Sequence, residues 1–332
     1  MNAHRPGLNP SVAEVRRAVR AVLGGVEAGE AVVVGLSGGA DSLALAAACA
    51  FEGPKAGVRA TAVVVDHGLQ PGSDRVAAAA AEAARRLGMD ATVVPVEVGG
   101  AGGPEAAARE ARYAALRDAA ARAGAGAVLL AHTLDDQAET VLLGLARGSG
   151  AASLQGMADR ADLDGVALLR PLLSVRRATT RAACVAEGLR PWNDPHNTDP
   201  AYARVRVRER VLPVLESELG PGIAEALART AAQLREDAEA FDDMIEETIE
   251  DIVEHAEAGI SVSAAALSAN PAALRNRIIR HVVAAEFGQS LTRVQTLEVA
   301  RLATDWTGQG PIDLPGCRAG RIGGRIEFTA RG

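Results

Sequence analysis

The first half of the chain alternates between short apolar runs and longer stretches with apolar residues at helical spacing. Ala31–Gly35 (AVVVG), Arg59–Asp66 (RATAVVVD), Ala91–Val98 (ATVVPVEV) and Ala127–Ala131 (AVLLA) read as strands. Asp41–Phe51, Ser73–Leu87, Pro104–Ala123 and Leu134–Ala146 read as the helices between and after them. Ser73 suits an N-cap, and Pro104 suits a first helical turn. Strands and helices alternating at this spacing predict an α/β fold, a Rossmann-like parallel sheet with helices on both faces.

After Gly150 the pattern changes. Val166–Leu173 reads as a further strand and Ser174–Glu187 as a helix, and then comes the turn-rich PWNDPHNTDP. Tyr202–Leu219 leads into a long acidic helix over Pro221–Ala258. Pro271–Phe287 and Leu291–Trp306 are amphipathic helices, and Gly308–Phe328 reads as a small hairpin-like tail. The expected boundary lies near Val211–Pro221. It gives a catalytic domain over 1–215 and a smaller, mainly helical domain over 216–332. There is no internal repeat.

Composition narrows the picture. At 332 residues and 48% apolar, the chain is long enough for substantial cores. Aromatics are only 2%, so those cores must be built from Ala, Val and Leu, whose small side chains favour close helix-on-sheet packing. Cys49, Cys184 and Cys317 form no CxxC pair, which excludes a zinc knuckle or a cysteine-ligated cluster and predicts no disulfide framework. Without a membrane-length apolar run, the expectation is a soluble cytoplasmic protein. The net charge of −7 is unevenly spread: Arg170–Arg210 holds nine arginines against four acids, and Leu215–Ala258 holds fourteen acids against two arginines. The first stretch is either a phosphate footprint or a solvated surface.

The chemistry is concentrated where the first strand runs into Leu36-Ser37-Gly38-Gly39-Ala40-Asp41-Ser42 and a helix follows. Glycines bring backbone amides against an anion, and a helix N-terminus adds partial positive charge. The loop is neither GxxxxGK[ST] nor GxGxxG. An aspartate in a phosphate loop repels phosphate unless it holds a cation, so Asp41 is the candidate Mg²⁺ ligand. SGGADS resembles the loop of the PP-loop, or N-type, ATP pyrophosphatases. These enzymes cleave ATP between its α- and β-phosphates and transfer AMP to an oxygen. GMP synthetase, argininosuccinate synthetase and several tRNA-modifying enzymes share that loop.

Further segments point to one group. They are Val65-Asp66-His67-Gly68-Leu69, Arg109-Glu110-Ala111-Arg112-Tyr113, Ala131-His132-Thr133-Leu134-Asp135-Asp136-Gln137-Ala138-Glu139-Thr140, Arg147-Gly148-Ser149-Gly150, Arg170-Pro171-Leu172-Leu173 and Pro191-Trp192-Asn193-Asp194-Pro195. In this order they resemble the bacterial tRNA(Ile)-lysidine synthetases over residues 30–215. That resemblance implies adenylation by ATP of the C2 oxygen of the wobble cytidine in the CAU anticodon of isoleucine tRNA. The ε-amine of free L-lysine then attacks C2 and expels AMP. The family usually carries an Arg-Asn pair in the region of YARVRVRER, where Val205 stands in place of Asn. Arg204, Arg206 and Arg208 therefore keep only a general phosphate-binding role.

On this reading the ATP-binding set is Ser37, Gly38, Gly39, Ala40, Asp41, Ser42, Asp66, His67 and His132, because ligands of such sheets sit at the carboxyl ends of strands. Asp136 and Glu139, three apart on one helix face, are expected to bind lysine. Asp41, Arg109, Arg112, Asp136 and Glu139 form the expected catalytic set, with the arginines meeting phosphate charge. His67 and His132 are alternatively hydrogen-bonded structural histidines, and Arg147 is assigned only loosely to phosphate. Trp192 either stacks on a base or packs among prolines. The acidic helix allows a homodimer. The competing readings are a PP-loop tRNA thiolase, an amidotransferase-like synthetase and a nucleotide-binding module without turnover. The unpaired cysteines, the lack of a glutaminase nucleophile elbow and the Asp41, Asp136 and Glu139 set speak against them in turn.

Overall fold

The computed structural model describes residues 8–331 except Leu69, Val98, residues 100–103, Ser149 and residues 257–258. The expected strand end at Val98, Leu69 of DHGL, Ser149 of RGSG and the expected helix end at Ala258 lie outside the described residues. The chain divides into two compact units between Arg235 and Glu236.

The first unit opens with α1 (Pro10–Leu23), then β1 (Ala31–Gly35), α2 (Ala40–Ala56), β2 (Arg59–Asp66), α3 (Ser73–Arg86), β3 (Asp90–Pro95), α4 (Pro104–Ala123), β4 (Ala125–Leu129) and α5 (Leu134–Arg147). A hairpin follows, β5 (Arg160–Leu163) and β6 (Val166–Leu169), then α6 (Arg177–Ala186). The sheet order is β3-β2-β1-β4-β6-β5, and every pairing is parallel except β5 with β6. β1 is central, and its alternate side chains enter opposite cores. Val32 and Val34 pack with α1, α2, α3 and α6 residues, whereas Ala31 and Val33 pack with Leu116, Ala119 and Ala120 of α4. A strand buried on both faces must be apolar throughout, which is why AVVVG is legible as one.

Several boundaries depart from the expected ones. The second apolar run of the hairpin stops at Leu169, because Pro171 has no N–H to extend a ladder. α6 begins only at Arg177. α1 was not anticipated, although Asn9 caps it, Pro10 opens it, and Val12, Val15, Val19 and Leu23 bury one stripe. Beyond α6, residues 203–218 are helical as α7 (Ala203–Arg206), a π-helical stretch over Val207–Val211 and α8 (Leu212–Glu218).

The long acidic helix is α9 (Ile223–Ile252), shorter than the expected 221–258 because strand β7 (Val253–Ala256) takes over. β8 (Gly259–Ser263), α10 (Ala264–Ala269), α11 (Ala272–Phe287), α12 (Arg293–Thr304), β9 (Ile312–Leu314), β10 (Cys317–Ile322) and β11 (Arg325–Ala330) complete the chain. The expected tail hairpin is β10–β11, part of a five-stranded antiparallel sheet ordered β7-β8-β11-β10-β9. Phe328, Ile278, Ile279 and Leu302 anchor the separate core of this second unit.

Gly144 of α5 lies against the short turn Ala151–Leu154, so close that an added Cβ would collide with the carbonyl of Ser153. Gly144→Ala is expected to destabilise the first unit by about 1–3 kcal/mol, read as a lower midpoint in urea at unchanged slope. An unchanged midpoint would show that the turn yields freely.

Candidate active site

At the carboxyl end of β1, Gly38 adopts φ +82°, a left-handed conformation natural to glycine, and Gly39 is the extended N-cap of α2. The side chains of Ser37 and Ser42 brace the turn. The Ser42 hydroxyl donates to the Gly39 carbonyl at 3.0 Å, accepts from the Ser37 amide at 3.2 Å and lies 3.1 Å from the Ser37 hydroxyl. The Trp192 amide donates to the Gly38 carbonyl at 2.9 Å and ties the 190s loop to this turn. The first amides of α2 have no partner within the helix and face where an anion would sit.

A cavity of about 390 Å³ opens beside this loop. Ser37, Asp41 and Ser42 line it from the loop, Asp66 and His67 from the end of β2, Arg112 from α4 and His132 from the end of β4. Gln70, Trp192, Asp194 and His196 form a further wall, where Gln70 bonds Asp194 at 3.1 Å and His196 at 2.7 Å. Arg112 Nε, His67 Nδ1 and His132 Nδ1 are buried without a hydrogen-bond partner in the protein. Buried polar atoms are almost always satisfied, so three orphans around one cavity mark a place for a polar ligand. Burial, reinforced by nearby Arg112, lowers the pKa of His67, and burial lowers that of His132 to about 4, so both rings are neutral at pH 7.

Behind the cavity lies a dense charge cluster. Thr133 caps α5, and its amide and hydroxyl donate to Asp136 Oδ2 at 2.8 and 2.7 Å. Arg177, only 11% exposed, donates through Nη2 to Asp136 Oδ1 at 2.7 Å and through Nη1 to Glu139 Oε1 at 3.0 Å. Its Nε lies 3.7 Å from Asp41 Oδ2. Arg208 makes a two-pronged contact with Glu139, Nε to Oε1 at 2.7 Å and Nη2 to Oε2 at 3.0 Å. Arg204 stands further off, 3.7 Å from Glu139 and 4.0 Å from Asp136, and is 37% exposed. The Thr180 hydroxyl donates to Asp41 Oδ1.

These contacts set the charge states. Burial pushes the Asp41 carboxyl up, against the opposing pull of Thr180 and Arg177. Burial also works against ionised Asp136, but Arg177 and the Thr133 bonds outweigh it and hold the carboxyl below its usual range. The carboxylates around Arg177 raise its pKa despite burial, so it stays charged. Glu139 has no exposure at all and accepts hydrogen bonds from two guanidinium groups, with a third nearby.

Most of the expected residues thus converge. Ser37, Asp41, Ser42, Asp66, His67, Arg112 and His132 share one cavity, and Asp136 and Glu139 join it through Arg177. Gly38, Gly39 and Ala40 supply the loop backbone and the start of α2. Arg109 is exposed over the Tyr113 ring at 4.9 Å and does not line the cavity, and Arg147 is exposed at the far end of α5. Sequence reasoning missed Arg177, Thr180 and Gln70. Arg177 had counted only towards the arginine-rich stretch, six of whose nine arginines are engaged within the protein. Arg170 donates to the Ala158 carbonyl, Arg206 to those of Pro200 and Ala201, and Arg176 faces Asp135 and Glu225. With Arg177, Arg204 and Arg208 also engaged, the exposed Arg181, Arg190 and Arg210 remain for phosphate.

Among the described residues, no group of three His, Cys, Asp or Glu could by itself hold a metal. A Mg²⁺ ion commonly takes only one or two carboxylates and completes its shell with substrate phosphates, a pattern that a lone loop aspartate fits. All three cysteines are free and buried, and burial pushes the thiols of Cys49 and Cys184 up to about 12 and about 11. Neither is a thiolate at neutral pH. No helix among the described residues is long and apolar enough to cross a membrane.

Comparison with known proteins gives two family matches, a PP-loop domain over residues 12–215 and a TilS substrate binding domain over 263–326. The tRNA(Ile)-lysidine synthase of Leifsonia xyli subsp. xyli is 61% identical over 302 residues, 90% of each chain. That of Thermobifida fusca is 52% identical over 318 residues, 95% of this chain and 96% of the relative. That of Streptomyces coelicolor is 50% identical, over 96% of this chain and 98% of the relative. Among solved structures, the U34-tRNA thiolase NcsA of Methanococcus maripaludis, with its [4Fe-4S] cluster, superposes with a TM-score of 0.58 at 20% identity. That match covers 68% of this chain and 80% of the thiolase; at this identity it shows a shared fold alone.

The depressed His132 pKa has a definite sign. Below pH 6.5 the unfolded histidine binds a proton that the folded one refuses, so stability falls as pH drops from about 6.5 towards about 4. His132→Gln is expected to flatten that part of a plot of urea midpoint against pH. An equally steep plot for the variant would assign the loss to other groups.

Proposed function

The chain belongs to the tRNA(Ile)-lysidine synthase family, and from that premise we propose how its own residues carry out the family's ATP-dependent C–N ligation. ATP adenylates the C2 oxygen of the wobble cytidine in the CAU-anticodon isoleucine tRNA and releases pyrophosphate. The lysine ε-amine then attacks C2 and expels AMP. Adenylation is needed because an amide-like oxygen leaves poorly and AMP leaves well.

The observation that carries this reading is the meeting of the phosphate loop and the unpartnered polar atoms of Arg112, His67 and His132 around one cavity, with the Asp136–Glu139 pair tied to its Asp41 edge through Arg177. The amides of residues 38–42 and the serine hydroxyls hold phosphate. Asp41 would hold Mg²⁺ together with phosphate oxygens, and the ion would neutralise charge on the departing pyrophosphate. Asp66, His67 and His132 line the nucleotide's cavity, and the neutral rings supply hydrogen bonds without adding charge. Arg112 stabilises negative charge at the reacting phosphate, and exposed Arg109 meets phosphate at the approach. Asp136 and Glu139 receive the lysine ammonium at the position of Arg204, the most exposed and most distant of their three arginines. One of the two takes up the proton that an amine of pKa about 10.4 must lose before it attacks.

Residues 1–215 are assigned the ATP chemistry and 216–332 recognition of the tRNA, with Arg181, Arg190 and Arg210 as the phosphate contacts of the first part. The buried, protonated cysteines give no support to a thiolase.

With ATP, Mg²⁺, radiolabelled lysine and isoleucine tRNA, the protein is expected to incorporate lysine with AMP and pyrophosphate formed in equal amounts. Asp41→Asn and Glu139→Gln should each lower kcat/KM by about 10²-fold or more, with circular dichroism unchanged. Lysine incorporation without pyrophosphate release, or fully active Asp41→Asn, would overturn the assignment.

A further inference from the structure

Arg177 touches both halves of the site at once. Its Nε lies 3.7 Å from Asp41 of the phosphate loop, and its two Nη atoms bond Glu139 and Asp136 of α5 at 3.0 and 2.7 Å. A second path runs beside the first. The Thr180 hydroxyl, on the same helix, lies within hydrogen-bond reach of both Asp41 Oδ1 and the Arg177 carbonyl, and its one proton is shared between them. The Arg177 amide in turn donates to Asp135 Oδ2 at 2.7 Å. The first turn of α6 is therefore fastened to α5 and to the loop together.

We propose that Arg177 is a positioning residue through which lysine binding strengthens ATP binding, an inference that rests on the lysine and ATP sites assigned above. In the free protein Arg177 divides one positive charge among three carboxylates. An ammonium arriving at Asp136 and Glu139, closer than Arg204 stands, competes with Arg177 for Asp136 Oδ1, the oxygen that both arginines face. The guanidinium then turns more of its charge to Asp41 and the space before the phosphate loop, where a nucleotide brings negative charge. Near-total burial makes this exchange strong, because little water screens it. Coupling of this kind is reciprocal, so nucleotide must tighten lysine by the same factor.

Titration calorimetry without tRNA isolates the effect, with Mg²⁺ and an ATP analogue carrying a methylene bridge between the α- and β-phosphorus so that no chemistry occurs. Saturating L-lysine is expected to lower the analogue's Kd by about 5-fold or more, within the usual range for coupled sites. Arg177→Lys should retain part of that factor and Arg177→Gln should bring it to one. Thr180→Val, which leaves the arginine in place, should reduce it. An equal Kd with and without lysine in the native protein, or full coupling in folded Arg177→Gln, would overturn the inference. If Arg177→Gln does not fold, full coupling in Arg177→Lys and Thr180→Val together overturns it. A native protein that makes lysidine yet shows no coupling loses this inference alone, whereas one that makes no lysidine loses the functional reading beneath it.

Discussion

Two carboxylates, Asp136 and Glu139, stand where water scarcely reaches, with half-buried Asp41 beside them, and the arrangement holds because arginines meet them there. Moving such ions out of water costs several kcal/mol each, and mutual attraction offsets that only with close geometry and further hydrogen bonds. Both conditions hold around Glu139, whose oxygens are bonded by Arg177 and Arg208, and around Asp136, which also takes two bonds from Thr133. Well-packed apolar residues of similar volume would give comparable stability. The cluster is therefore poor evidence of a stability device, which is consistent with the substrate-binding role proposed for it.

The sheet explains why the cluster forms at this place. β1, β2 and β4 run parallel, so the loop after β1, His67 after β2 and His132 after β4 come out on one edge. Alanine contributes here. Ala44, Ala46, Ala47 and Ala48 bury their small side chains and let α2 lie close against the sheet, aiming its N-terminus along the continuation of β1. Gly35, the last residue of β1, has no room for a Cβ, which would sit 2.7 Å from Leu130. The edge that carries the chemistry is thus set by what the core beneath it omits.

The sequence conveyed the central strands well because each is apolar on both sides and bounded by glycine or polar residues, as in AVVVG and RATAVVVD. It conveyed which loop and strand-end residues stand together, because that placement follows from position on a parallel sheet. The second sheet was less legible. VEHA and GISVS are short and mixed, and VEHA follows thirty residues of helix without a break in polarity, so no periodicity marks the change. Arg177 was hidden for another reason. A buried arginine looks the same in sequence as a solvated one, and its partners lie 38, 41 and 136 residues away. Only the fold distinguishes it from Arg181, one turn further along the same helix, which remains exposed.

The comparison with the thiolase fold sharpens what specificity here means. A shared sheet at 20% identity says that the scaffold serves more than one chemistry, so the choice must be made by side chains. Sulfur transfer through a cysteine needs an available thiolate, and the cysteines here are buried, far apart in sequence and held protonated by their surroundings. What this chain places beside its phosphate loop is a pair of carboxyl groups held by guanidinium groups. Such a pair is matched to a nucleophile that arrives as a cation and must give up a proton. The amine of lysine has that character and sulfide does not, so on the proposed reading the polarity of the cluster would discriminate between second substrates, a choice that the loop, blind to that difference, would leave open.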